Sequence, residues 1–371
     1  MIRHRWALGA GAVLMLAVTA ACGSDEPSTR ADDFQVVPVD GCEQGWTDPA
    51  DRSADRAPAR CAAGAPAPQQ LEEQVELTMA ITNKQAELIG PLLWAQEHGE
   101  FEKEGIDLEI KVVPPADALN LLASGDLDAW FSGPDASFHN ALKQGYDLRW
   151  VTGNYFESPE SKSGLWTRAD EVDELDGAKV GSAAGTGSVI MYPISAALEK
   201  QGLSISDVKV QTLTSADQIV AFKNGGVDAA WLLTPTWGQV ADDPEFTFLG
   251  GQPPAEPLGG IIFGQRLLHD EPAVGRALLR AYIRTINTTF AGDYKADRQL
   301  VEELAGLLDV PAETVAATPS LVFDWEIREG TSERSQDVWH DLDALSYEDT
   351  IAESDVVDRS FYEAVVGHEG D

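Results

Sequence analysis

The stretch Leu92-Leu93-Trp94-Ala95-Gln96-Glu97-His98-Gly99-Glu100-Phe101-Glu102-Lys103-Glu104-Gly105-Ile106-Asp107-Leu108-Glu109-Ile110 decides how the chain is read. Residues 91–98 carry apolar side chains at helical spacing, and residues 106–113 alternate apolar residues with Asp, Glu and Lys, the period of a strand with one buried face. Working outward, residues 75–81 form an apolar run of strand length, 117–123 read as a helix, 127–131 as a short buried strand, 136–143 as a helix closed by Gly145, and 148–151 as a strand. A β-α-β-α-β-α-β order at this pitch predicts a mostly parallel sheet covered by helices.

The same arithmetic restarts after Leu165 and Thr167. Strands are expected at 179–182, 208–213, 227–233 and 246–249, with helices at 189–200 and 216–223 between them. From Glu271 onward strands nearly vanish, and helices are expected at 273–290, 298–308, 312–317, 336–345 and 360–366. The expected fold class is α/β: two similar α/β units in tandem, here called lobes, followed by a helical C-terminal segment. The divisions are lobe 1 at 75–165, lobe 2 at 166–262, and helices at 263–371 packing back on lobe 1.

With 371 residues, 43% of them hydrophobic and ten Trp, the chain has ample material for packed cores. Its formal net charge of −36 repels phosphate backbones, which argues against a nucleic-acid partner.

Arg3 and Arg5 precede a small-residue apolar run at 7–21, with no acidic residue before Asp25. The run is shorter than the roughly 20 residues needed to span a bilayer, so residues 1–21 read as an export signal. Val18-Thr19-Ala20-Ala21-Cys22 resembles the lipobox of bacterial lipoproteins, with Thr19 in place of the commoner Leu. That resemblance implies lipidation at Cys22 and a place on the outer face of the cell membrane. Residues 22–74, rich in Asp, Pro, Ala and Arg, read as a linker, and the isolated pair Cys42 and Cys61 within it reads as one disulfide in an exported protein. A metal or redox pair would want C-x-x-C spacing or nearby His.

The stretch 92–110, the phrase Ala118-Leu119-Asn120-Leu121-Leu122-Ala123-Ser124-Gly125-Asp126-Leu127-Asp128-Ala129 and its echo Ile219 to Ala230 together resemble the solute-binding proteins of the nitrate, sulfonate and taurine type that serve ABC importers. The resemblance covers residues 76–345. It implies a periplasmic-binding-protein-like (type II) fold, two lobes joined by crossing segments, and a small-molecule ligand enclosed by hinge closure. The Gly-x-x-Asp-Ala phrases belong to the fold: Gly125 and Gly225 end helices, and buried strands follow.

In open α/β lobes ligands bind beyond the carboxyl ends of the strands. That rule selects four loops: Thr82-Asn83-Lys84, Ser132-Gly133-Pro134-Asp135, Gly185-Thr186-Gly187-Ser188 with its preceding residues, and Thr234-Pro235-Thr236-Trp237. The Gly-rich third loop opens a helix with no acid in its first turns, which suits an anion, with ordinary N-capping by Ser or Thr as the alternative. Asp135 in the second loop would welcome an ammonium or simply start its helix. Trp231 and Trp237, with Trp130, offer aromatic walls or core packing, and Tyr155 and Tyr192 are weaker candidates. An anion acceptor on the second lobe and an acid on the first suit a zwitterion such as an aminosulfonate.

No H-E-x-x-H spacing, Gly-x-Ser-x-Gly elbow or phosphate-loop motif occurs, so no catalytic residue, metal or cofactor is assigned. The expectation is a monomeric, non-enzymatic binding protein whose partners are its ligand, the permease subunits and the membrane through its N-terminal lipid. The alternatives are a nitrate-binding or pyrimidine-precursor-binding protein of the same fold, or a pyrimidine-synthesising enzyme.

Overall fold

The computed structural model describes residues 64–158, 160–168, 175–253 and 256–366. The signal, Cys22 and the pair Cys42 and Cys61 lie outside the described residues.

In the first lobe β1 (Val75–Ile81) pairs in parallel with β2 (Ile106–Val112) along its whole length and with β3 (Ala129–Ser132) at its C-terminal end. The helices α1 (Gly90–Glu97), α2 (Pro115–Ser124) and α3 (Ala136–Lys143) make the crossovers, and β4 (Arg149–Thr152) and the short β5 (Tyr155–Phe156) follow. The chain then enters the second lobe through β6 (Gly164–Arg168). There β7 (Lys179–Ser182), α4 (Met191–Glu199), β8 (Lys209–Thr212), α5 (Ser215–Lys223), β9 (Ala229–Leu232) and β10 (Phe246–Gly250) repeat the pattern. It returns through β11 (Gly260–Phe263), after which come α6 (Pro272–Thr289), α7 (Arg298–Leu308), α8 (Ala312–Ala316), β12 (Val322–Phe323), α9 (Thr331–Asp341), α10 (Glu353–Val356) and α11 (Ser360–Val365).

The sheet orders are β2-β1-β3-β11-β4 and β10-β6-β9-β7-β8, the same pattern read from opposite edges. In each sheet the antiparallel strand beside the parallel trio is the one by which the chain arrives from the other lobe: β6 in the second, β11 in the first. This corrects two boundaries read from the sequence. Residues 260–262 belong to the first sheet, and 164–165 to the second. The crossing strands pack so closely that a Cβ on Gly260 would lie 1.7 Å from the Thr152 carbonyl oxygen, and one on Gly153 would lie 2.4 Å from that of Glu326. No other residue fits at either position.

Strand parity distributes the cores. Ala129 and Phe131 face a core shared with α1, α6 and α7, while Trp130 faces the other side with Phe138 and Trp150. In β9, Ala229 and Trp231 point to the α4 side, and Ala230 and Leu232 to the α5 side.

The C-terminal helices do not all return to lobe 1. Helix α6 packs on α1 and α11, but α9 packs on α4, and its Val338 and Trp339 lie in the second-lobe core. Two buried indole-sized slots, one in each lobe, are therefore filled from one C-terminal segment, by Trp325 and Trp339. The folded body also begins before the expected residue 75. Arg280 donates to the Gln69 carbonyl (3.1 Å), Asn287 to that of Gly64 (3.2 Å), and the Leu71 N–H donates to the Glu104 carbonyl (2.9 Å).

Candidate functional site

The strand-end loops converge between the lobes. One cavity there takes residues from both: residues 85–88 after β1, Tyr155 and Glu157 in the first crossing segment, residues 233–235 after β9, and an apolar wall of Leu308, Val310, Val315 and Leu321. Its volume is about 230 Å³, below the range of drug-sized ligand sites and suited to a small metabolite. A larger hollow of about 580 Å³ lies around Asp293, Lys295 and Ser320. It borrows no strand-end loop from the second lobe, so closure of the lobes would not enclose it.

The polar groups of the interlobe cavity are held by local structure. Asn83 Oδ1 accepts the N–H groups of Gln85 and Ala86, each at 3.0 Å, and so shapes the turn that delivers Glu87. Lys295 Nζ lies 2.7 Å from Glu87 Oε1 and 2.9 Å from Oε2, and the Tyr294 hydroxyl donates to the same carboxylate. Burial pushes the Glu157 carboxyl up from its ordinary range, and the like charge of Glu87 pushes it the same way. Burial likewise raises the Tyr155 phenol. On the second lobe Thr234 Oγ1 accepts from Trp237 Nε1 at 3.0 Å.

The comparisons with known proteins fit this geometry. A family model described as NMT1/THI5 like matches residues 87–256. The periplasmic aliphatic sulphonate binding protein of Escherichia coli superposes with a TM-score of 0.56 at 18% identity, over 76% of this chain and 92% of that one. The alkanesulfonate-binding protein of Xanthomonas axonopodis pv. citri, solved with MOPS bound, gives 0.56 at 18% identity over 78% and 100%. This is the two-lobed periplasmic-binding-protein fold. The resemblance drawn from residues 92–110 and the Gly-x-x-Asp-Ala phrases is thus matched in fold by solved sulfonate-binding proteins. A binding protein of Brucella abortus (strain 2308) is 26% identical over 149 residues, 40% of this chain and 45% of that protein, so the match spans less than half the curated relative.

Within the binding-protein fold, the residues singled out from the sequence fall in three places. Thr234 lines the cavity, and Thr82, Asn83 and Lys84 are exposed immediately before its Gln85 wall. The second and third loops meet each other instead: the Ala136 N–H donates to the Gly187 carbonyl at 2.9 Å, and Gly133 sits against Val189 and the Leu258 carbonyl. Ser132 borders the crossing strand opposite Gly260, Gly185 and Thr186 are exposed, and the Ser188 carbonyl accepts the Trp339 indole N–H at 3.1 Å. The space left on this side, between Pro134, His139, Val189 and Ser332, is about 10 Å³, at most the room of one water.

Three expectations are corrected. Asp135 is spent as the N-cap of α3, accepting the Phe138 N–H at 3.0 Å, rather than offered to a ligand. Trp231 is 3% exposed and packs in the second-lobe core, because its position in β9 turns it toward α4, away from the cleft. Trp237 packs on the opposite face of that lobe and steadies Thr234 without lining the cavity. Glu87 and Glu157 went unnoticed because nothing in sequence distinguishes a carboxylate at a crossing segment from one on a solvated face.

His139 ties the interface together. Its Nδ1–H donates to the Asp135 carbonyl (2.9 Å) and its Nε2 accepts from the Ser332 hydroxyl (3.0 Å), an assignment that follows from the carbonyl being an acceptor alone. Burial drops its pKa from 6.5 to about 4, so the folded protein holds it neutral. A depressed histidine stabilises the fold fully above its unfolded pKa and loses that contribution as pH falls from 6.5 through 4. The loss should approach about 3 kcal/mol below that window. Comparing the urea midpoints of wild type and His139→Gln from pH 7 to 4 checks this: the variant should show a flatter pH profile, and parallel profiles would remove His139 as the cause.

Proposed function

We propose that the protein is a lipid-anchored extracytoplasmic solute-binding protein, held to the membrane through Cys22, that captures a small organic anion or zwitterion of the sulfonate or taurine type and presents it to the permease of an ABC importer. The observation that carries this reading is the 230 Å³ cavity whose walls come from both lobes and from the segment joining them. A ligand there contacts both lobes only when they are closed, so binding energy shifts the open–closed equilibrium toward the form a permease can select. The cavity mixes hydroxyl and carboxylate groups with an apolar wall, which suits an organic solute better than a bare inorganic ion.

A thermal-shift and calorimetry panel on the full-length protein tests the reading, with nitrate, alkanesulfonates, taurine, carboxylates and pyrimidines. An organic zwitterion or anion at 100 times its Kd should stabilise the protein by about 2.7 kcal/mol and be recovered chemically unchanged. A response confined to nitrate or to pyrimidines, or turnover of the ligand, would replace this reading with one of its alternatives.

A further inference from the structure

We infer that the interlobe cavity takes an ammonium group at Glu157 and a hydrocarbon body against Val310, Val315 and Leu321, so that the ligand's cationic end lies at the first crossing segment. This rests on the solute-binding reading and specifies the ligand's chemistry within it.

Among the described residues, the lining of the cavity holds two carboxylates and neither lysine nor arginine. They are not equivalent. Glu87 receives Lys295 on both oxygens together with the Tyr294 hydroxyl, and Lys295 is fixed further by the Thr318 hydroxyl at 2.9 Å, so this charge is already compensated. Glu157 lines the same cavity, and the charged groups near it are Glu87, of like sign, and Lys295, which Glu87 holds. A carboxylate partly withdrawn from water beside a like charge is costly until a cation arrives. An ammonium group supplies that charge and makes short, charge-assisted hydrogen bonds. The rest of the wall is aliphatic, with Pro235 closing it from the second lobe, and rewards methylene groups at about 25 cal/mol per Å² of surface removed from water. The acid that the sequence places at the cleft, Asp135, caps α3 and lies outside the lining of this cavity. A small ω-amino acid or aminosulfonate, or an alkylamine, has the required chemistry.

The test measures binding of taurine, butylamine and ethanesulfonate to the full-length protein by calorimetry and thermal shift, with Glu157→Gln and Glu157→Asp beside wild type. Taurine and butylamine should bind, ethanesulfonate should bind at least tenfold more weakly than taurine, and Glu157→Gln should weaken both amines at least tenfold while Glu157→Asp retains part of the affinity. Unliganded Glu157→Gln should melt no lower than wild type, since it removes a partly desolvated charge beside the like charge of Glu87; a residue needed for folding alone would melt lower and leave the ranking of the three probes unchanged. Ethanesulfonate binding as well as taurine, with Glu157→Gln indifferent, overturns the amine assignment and leaves the solute-binding reading standing. If none of the three probes binds, the amine assignment falls together with the cavity as the ligand site.

Discussion

Arg284→Met should lower the unfolding free energy by about 3–5 kcal/mol, the usual cost of removing one partner of a buried ion pair. Arg284 on α6 donates to Glu100 Oε2 and to Glu104 Oε1, each at 2.7 Å, and to the Glu100 carbonyl at 3.0 Å. Glu104 is fully buried, and Arg280 holds its other oxygen at 2.7 Å. Without Arg284 two carboxylates stay in the interior with half their partners. Burial alone would raise the Glu100 carboxyl, yet the hydrogen bonds from Lys103 and Arg284 outweigh it and hold the group below its ordinary range. Arg284→Lys should recover part of the loss, since an ammonium cannot present the forked geometry that reaches both acids. Urea unfolding is the measurement; a loss below about 1 kcal/mol would mean that the network behaves as a solvated surface pair. The same arginine reaches the Pro66 carbonyl at 3.4 Å, so hydrogen exchange in residues 64–71 should quicken in the variant.

Trp339→Ala should cost about 3–5 kcal/mol as well, for a different reason: a fully buried indole leaves a cavity that its neighbours cannot close. The ring lies in the second-lobe core with Ile194, Leu198 and Val180, 5.1 Å from the His139 ring by centroids, and its N–H holds the Ser188 carbonyl. Trp339→Phe keeps most of the packing and should lose about 1 kcal/mol with the hydrogen bond. Because α9 comes from the C-terminal segment yet packs on α4, the alanine variant should quicken exchange in α4 and residues 185–190 before α6. The reverse order would place the anchor of α9 in the first lobe.

How much of this was legible beforehand follows from the range of the interactions involved. The strands β1, β2, β7 and β8, with the helices between them, were legible because period and capping are local: Gly125 takes the left-handed conformation at the end of α2, and Thr214 caps α5 through the Asp217 N–H. The strand at Gly260–Phe263 was not. A four-residue apolar run has no period to read, and its place between β3 and β4 depends on pairing with strands more than a hundred residues earlier. Of the four loops that the strand-end rule selects, the one after β9 lines the cavity, through Thr234 and Pro235. What each side chain does there was not legible, because Asp135 caps a helix and Trp231 turns inward for reasons set by neighbours remote in sequence.

The sequence by itself thus determined the two α/β lobes, since hydrophobic periodicity and turn chemistry act over a few residues and were written twice along the chain. Tertiary structure alone decided which sheet receives each crossing strand, that the C-terminal segment fills slots in both lobes, and that Glu87 and Glu157 line the cavity between the lobes. Those outcomes depend on desolvation and on partners brought together across the fold, and neither is encoded in any local stretch of residues.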